Sequence, residues 1–467
     1  MATNYDLLIH GGSVWLGRGF VNADIAVEDG RVAALLLREG SYTKPGAKRE
    51  YNAAGKQVLP GSIDPHVHIR APGMEQREDF FSGSCAAAAG GVTTFFEHPI
   101  ANPPQYSLEI LNKRIAAAEQ DAVVDFAFYG AAGSEFPDQM QALADSGRIV
   151  AFKTFLHEAP PGRDSEFMGL TMKSDPDQYY GLGTVGKLGA ICAVHAENND
   201  MINAGIARCR QAGDTGPLGH GHSRPPVTEY ETVAKLLLFA KETGARIEFC
   251  HISTPEAMEM IVGAKRQGLD VYLETCPHYL LMDEHLMEQH GPYAKCNPPL
   301  RDRATVEALW KYVNDGSVDF IGSDHAPYTY EEKSRGYDDI FDCPSGFPGL
   351  ETRLPLMLDA VAKGRLTMAR MIELLCENPA RLFGLYPRKG TIRLGADADF
   401  TVVDQNAETV LSTAAMYTKC RDAAMLYEGM RLSGAVLGTI VRGRVVYQNG
   451  KVDEAARGHG VLCKPNQ

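Results

Sequence analysis

The sequence predicts an α/β protein: a (β/α)8 TIM barrel with a small β-sandwich domain built from both chain termini. Two observations carry this. Eight short apolar runs, ending near His68, Glu97, Tyr129, Phe155, His195, His251, Thr275 and Asp324, read as strands, and most intervals between them carry helical spacing. Alternating strands and helices imply parallel pairing, and eight such strands close into a barrel. The second observation is that residues able to hold a metal ion gather where those runs end, at the rim where such barrels keep their chemistry.

Taken in order, residues 1–57 alternate and are punctuated by glycine. Asp6-Leu7-Leu8-Ile9-His10, Ser13-Val14-Trp15, Asn22 to Val27 and Arg31 to Leu35 are separated by Gly11-Gly12 and Glu28-Asp29-Gly30, the pattern of short strands and tight turns. A piece of this size cannot cover both faces of its own sheet and needs a partner. Residues 387–467 supply one, through Ala398 to Val403, Val436 to Tyr447 and the turn Gln448-Asn449-Gly450-Lys451. Residues 58–386 form the barrel. Within it Ser107 to Gln120, Tyr230 to Thr243 and Pro255 to Gln267 have the three-four apolar spacing of amphipathic helices. Ala159 to Tyr179 and Gly213 to Pro226 are long and rich in Gly and Pro, as expected of functional rim loops. His220 and His222, in the latter, are expected to face solvent rather than to ligate.

The formal net charge of −13, from 46 basic and 59 acidic residues, opposes nonspecific nucleic-acid binding, which requires basic groups to neutralise phosphates. The ten cysteines are scattered singly with no Cys-x-x-Cys pair, the usage of a reducing compartment. Met1 to Asp6 has neither a basic nor an apolar leader pattern, and no stretch approaches the roughly 18 consecutive apolar residues of a membrane span. The expectation is a soluble cytoplasmic protein acting on a small molecule, without nucleic-acid or membrane partners.

In Gly61-Ser62-Ile63-Asp64-Pro65-His66-Val67-His68-Ile69-Arg70 two histidines one residue apart close an apolar run, and alternate residues of a strand share a face. Two such imidazoles can seize a borderline ion such as zinc, manganese, iron or nickel. Alone, the pair is more often coincidence than site. Ala193-Val194-His195, Phe249-Cys250-His251 and Ile321-Gly322-Ser323-Asp324 each add a potential ligand after an apolar run, and Ile149 to Leu156 buries Lys153. Four histidines, an aspartate and a lysine exceed what one tetrahedral ion uses, so a two-metal site is the economical reading. Lys153 is the odd member, because a bare ammonium in an apolar strand is costly and repels cations.

Together with Glu274-Thr275-Cys276-Pro277-His278-Tyr279 and Lys295-Cys296-Asn297-Pro298-Pro299-Leu300-Arg301, these residues resemble the cyclic amidohydrolases: hydantoinases, dihydropyrimidinases, allantoinases and dihydroorotases. The resemblance runs over nearly the whole chain. It implies that His66, His68 and Asp324 hold one divalent ion, zinc first and otherwise manganese, iron, cobalt or nickel. His195 and His251 then hold a second, and N6-carboxylated Lys153 bridges the two. It further implies ring-opening hydrolysis of a cyclic amide by a metal-bridging hydroxide, with Asp324 as the catalytic base, and a homotetramer. Arg70, Cys276 and Asn297 are expected to contact substrate. Glu97-His98-Pro99-Ile100 and Pro348 to Pro355 look like L-selective hydantoinases and allantoinases, whereas Arg70 and Ser323-Asp324-His325-Ala326-Pro327 look like dihydroorotases, the alternative. Ile100 and Tyr328 stand where dihydroorotases place an asparagine and a histidine, so an uncharged ring is expected to be preferred to dihydroorotate. A non-catalytic scaffold of the same fold is the rival from another class.

Overall fold

The computed structural model describes residues 5–40 and 42–466; Met1 to Asn4, part of the stretch in which no leader pattern is seen, lie outside the described residues. Eight strands, Ser62–Val67, Val92–Glu97, Asp125–Ala131, Ala151–Phe155, Ile191–His195, Arg246–Phe249, Val271–Thr275 and Phe320–Ile321, pair in sequence order. The pairing is parallel, from Ser62 opposite Val92 around to Thr275 opposite Ile321. Helices cover the outer face, so these strands are buried on both sides and read as continuous apolar runs rather than alternating ones. The last strand is only two residues long, yet the barrel nearly closes: Val67 bridges His325, and the His68 N–H donates to the His325 carbonyl at 2.9 Å.

The expected helices occur as Leu108–Asp121, Val227–Thr243 and Pro255–Arg266. Ser107 caps the first by accepting from the Ile110 N–H, one of the donors that a helix start leaves unpaired. The two long rim segments are less irregular than expected. Asp164–Phe167 and Gly219–Ser223 are short helices, and Asp175–Lys187 begins inside the first segment behind a Ser174 cap. His222 is exposed as expected, but His220 is buried, its Nε2 2.8 Å from the Cys296 carbonyl oxygen. The helical turn in that loop rotates one histidine inward and leaves the other out.

A second, curled sheet of ten strands draws on both chain ends. Gln57–Pro60 pairs antiparallel with Phe400–Val410, so the strand leading into the barrel is also the seam between the termini. Leu7, Ile25, Val58, Phe400 and Ile440 share one apolar core, which is how a small sheet covers its face. Where this sheet meets the barrel, Lys389 Nζ lies 2.7 Å from Asp125 and 2.6 Å from Asp399, with Asp397 at 3.3 Å. Asp125 opens its strand, so this cage lies at the end of the barrel opposite the ligand-bearing rim. Among the described residues no helix is long and apolar enough to cross a membrane.

Candidate metal centre

The barrel register brings the sequence-predicted ligands together. His66 and His195 lie within strands one and five, while His68, His251 and Asp324 follow the ends of strands one, six and eight. His66 Nε2 and His68 Nε2 lie 3.3 and 3.4 Å from the same oxygen, Asp324 Oδ1. His195 Nδ1 and His251 Nε2 face each other at 3.1 Å. Lys153 projects from strand four, fully buried, with Nζ 3.0 Å from Cys250 Sγ. Three of these rim residues carry backbone strain. Arg70, His251 and Asp324, with φ of 58°, 40° and 47°, are three of the six described non-glycine residues in the left-handed region. Such strain costs about 1–3 kcal/mol per residue and persists where the surroundings fix it, commonly at functional sites.

Other side chains decide which ring nitrogens carry protons. The Glu274 carboxylate lies 2.9 Å from His66 Nδ1 and also accepts the His251 N–H at 2.9 Å. His66 therefore carries its proton on Nδ1 and turns the Nε2 lone pair toward Asp324. Glu197 Oε2, 2.9 Å from His195 Nε2, fixes the opposite tautomer there, so the Nδ1 lone pair of His195 faces His251. Glu274 fits only because residue 322 is glycine: an added Cβ would lie 2.0 Å from Glu274 Oε1 and 2.8 Å from His66 Cβ. His98 stacks on His66 with centroids 3.9 Å apart and donates through Nε2 to the Pro65 carbonyl at 3.0 Å. Glu97 accepts the Ile69 N–H at 2.7 Å and pairs with Arg114 at 2.6 Å, which anchors the backbone just past His68.

Burial holds His66, His68 and His251 far below the usual imidazole value, so they are neutral and present lone pairs. Burial, then repulsion from Glu274, lifts the Asp324 carboxyl to about 8, and burial lifts Glu274 likewise to about 8. Burial opposes the Lys153 ammonium, but Cys250, Glu274 and Glu248 hold it above the ordinary lysine value. Lone pairs that face a carboxylate oxygen or another lone pair at 3.1–3.4 Å repel unless a proton or a cation lies between them. His68 Nδ1 and His251 Nδ1 are buried without partners. Neutral imidazoles, a carboxylate and orienting carboxylates behind them are the donor set that divalent cations take. The groups His66-His68-His98 and His66-Cys250-Glu274 also lie close enough to hold an ion, but His98 Nε2 is committed to Pro65 and Glu274 to His66 and His251.

The expected substrate residues fare unequally. Arg70, two residues past His68, is buried, and its Nε and Nη1 have no partner. Asn297 is half-buried with an unpartnered Oδ1. Cys276 is fully buried in the main apolar core, so its side chain offers substrate no accessible surface. The orienting roles of Glu274, Glu197 and His98 were missed in the sequence. The only signal was their place at or just past strand ends, which does not say toward what they point.

The model of the "Amidohydrolase family" matches residues 57–446. The L-hydantoinase of Paenarthrobacter aurescens is 34% identical over 450 residues, 96% of this chain and 96% of that one. The allantoinase of Rubrobacter xylanophilus is 38% identical over 459 residues, 98% of this chain and 97% of the relative. Among solved structures, the L-hydantoinase (dihydropyrimidinase) of Arthrobacter aurescens superimposes with a TM-score of 0.91 at 34% identity, covering 98% of this chain and 99% of that one. A D-hydantoinase does so with 0.86 at 30% identity over 96% of each chain. With similarity running from the seam strand through the whole barrel, the chain belongs to the amidohydrolase family.

Proposed function

We propose that this protein opens a cyclic ureide ring, hydantoin- or allantoin-like, by metal-dependent hydrolysis of its amide bond. The observation that carries this is the convergence of buried neutral imidazoles at the rim, His66 and His68 on Asp324 and His195 on His251, in a chain similar along its whole length to an L-hydantoinase and an allantoinase. On this reading His66, His68 and Asp324 would hold one divalent ion, His195 and His251 would hold a second, and Lys153, carboxylated on Nζ, would serve as a ligand to them. Zinc is the first choice, with manganese, iron, cobalt or nickel as substitutes. Carboxylation converts the one cation in the donor set into an anion, which removes its repulsion toward metal ions. Bound there, two ions supply Lewis acidity toward the amide carbonyl and lower the pKa of water.

The chain's own groups do the rest. Glu274 and Glu197 fix the tautomers of His66 and His195 through their second nitrogens. Asp324, the least buried of the set, accepts a proton from the attacking water and returns it to the ring nitrogen as the C–N bond breaks. Arg70 and Asn297 bring unpartnered polar atoms to the substrate. The catalytic unit is residues 58–386, with 1–57 and 387–467 as its partner. The non-catalytic scaffold loses ground to the intact donor set.

The direct test is steady-state assay of one metal-loaded preparation on hydantoin, allantoin, dihydrouracil and dihydroorotate. Turnover of a hydantoin or allantoin ring, abolished by chelation and restored by zinc, is expected. Absence of ring opening on all of them would overturn the assignment. The ten cysteines are all free and buried, which supports a reducing, cytoplasmic setting. The tetramer that the family resemblance implies is read by light scattering behind size exclusion.

A further inference from the structure

His220, expected in solvent, is buried, and what it touches gives rim loop 213–226 a task. Its Nε2 lies 2.8 Å from the Cys296 carbonyl oxygen. Burial holds this imidazole far below its usual value, so the ring is neutral, and because a carbonyl only accepts, its one proton sits on Nε2. Four residues on, the contact runs the other way: Arg301 donates through Nη1 to the Arg224 carbonyl at 2.6 Å. The rim loop and segment 295–301 thus each send one side chain to the other's backbone. The two ends of this reciprocal clasp, Cys296 and Arg301, flank Asn297 in the sequence.

The clasp reaches the candidate ligands of the second ion from two sides. Arg224 donates through Nη1 at 2.5 Å to Glu197 Oε2, the same oxygen that lies 2.9 Å from His195 Nε2. Arg301 donates through Nε at 3.1 Å to Ser253 Oγ, two residues past His251, and Ser253 donates in turn to Glu229 at 2.7 Å. Other carbonyls beside Asn297 are taken as well. Lys333 Nζ donates to that of Lys295 at 3.1 Å, and the Tyr279 hydroxyl to that of Pro298 at 2.7 Å. Asn297 itself keeps a buried Oδ1 without a partner. The loop is closely seated: at Gly205 and Gly219 an added Cβ would lie 2.4 Å from the Ser223 oxygen and 2.3 Å from the Asp214 oxygen. Ordinary loop packing accounts for a buried histidine. It does not account for a guanidinium that ends on the oxygen orienting His195 while its own carbonyl is held from the Asn297 segment.

We propose that His220 and Arg224 are positioning residues for the two halves of the site: Arg224, through Glu197, aims His195 at the second divalent ion, and His220, through the Cys296 carbonyl, aims Asn297 at the ring. This rests on the metal-dependent cyclic-ureide reading and deepens it by giving rim loop 213–226 its role.

The test uses the full chain and two readouts, zinc titration against a chromogenic chelator and steady-state hydrolysis of hydantoin. In Arg224→Met one of the two zinc ions is expected to dissociate about 10–100-fold more readily while the other is unchanged, and Arg224→Lys, which keeps a donor, recovers part of the loss. In His220→Phe both zinc affinities stay at the wild-type level, KM rises roughly tenfold and kcat holds, whereas His220→Gln, whose amide can still donate, recovers most of the KM. A merely structural loop lowers the thermal midpoint in all four variants without separating zinc affinity from KM. Two zinc ions held with wild-type affinity in Arg224→Met, or an unchanged KM in His220→Phe, overturns the proposal. Should either truncation not fold, Arg224→Gln and His220→Asn, which keep a polar group without its reach, take their places. A wild type that takes up two ions but opens no ring removes the cyclic-ureide reading and the His220 half with it, and the titration still decides the Arg224 half. A wild type that takes up one ion or fewer overturns both.

Discussion

The two ends of the barrel each bury a cluster of ionisable groups, and they differ in saturation. At the closed end Lys389 is caged by Asp125, Asp399 and Asp397, and Arg442 Nε reaches Asp125 at 3.1 Å. Asp125 also accepts the Val461 N–H at 3.0 Å, and Asp399 that of Arg442 at 2.8 Å. Despite burial, these neighbours hold Lys389 well above the ordinary lysine value and Asp125 below the ordinary carboxylate value. At the open end, the neutral imidazoles of His66 and His68 converge on a carboxyl that burial lifts to about 8. The closed end has used up its charges on itself. The open end has arranged its donors, fixed the tautomers of His66 and His195 from behind, and left His68 Nδ1 and His251 Nδ1 without partners. Residue type alone would not separate the two, since three aspartates at the closed end also lie close enough to hold an ion.

The largest effect expected at the open end comes from Lys153→Ala, which should lose metal and ring-opening activity together while the chain still folds. Full metal content and turnover in that variant would reduce the lysine to a structural role. At the closed end Lys389→Met leaves three carboxylates around an apolar chain and should cost about 3–5 kcal/mol in urea unfolding, with metal content unchanged. Loss of metal without loss of stability there would invert the comparison. Glu274→Gln keeps the shape behind His66 but weakens its grip on the ring proton, and a drop of about 10–100-fold in metal affinity is expected by competition with a chromogenic chelator.

The gathering of candidate ligands was legible in the sequence because these residues sit at strand ends, and a strand end can be read from an apolar run. His66, His68, Lys153, His195, His251 and Asp324 needed only that and the alternation of strand with helix. What stayed hidden depends on neighbours in space. Glu274 serves His66 from across the barrel, and Glu197 serves His195 from two residues away, but neither direction is visible in a linear pattern. His220 was read as exposed because its loop is polar, and a five-residue helix turned it inward. Arg70 was singled out as a substrate contact, but that its Nε and Nη1 are buried without partners became visible only in three dimensions.

The smallest effect concerns the Glu166 carboxylate. Although burial opposes it, Arg163 and Arg77 hold Glu166 at about 2, below its unfolded value of 4.5. A depressed carboxyl stabilises the fold above the unfolded pKa, and that contribution fades as pH falls from about 4.5 toward 2. Glu166→Gln should therefore lower the thermal midpoint near neutrality and converge with the wild type in acid. A difference between them that does not depend on pH would show that the pairing contributes nothing to stability.

The contrast between a saturated and an unsaturated cluster is tested most directly by counting metal. After full reconstitution and removal of loose ions, elemental analysis of the wild type and of Lys389→Met should each return about two divalent ions per chain, and Lys153→Ala about one or fewer. One ion or fewer in a fully active wild type, or two retained in Lys153→Ala, would contradict the account.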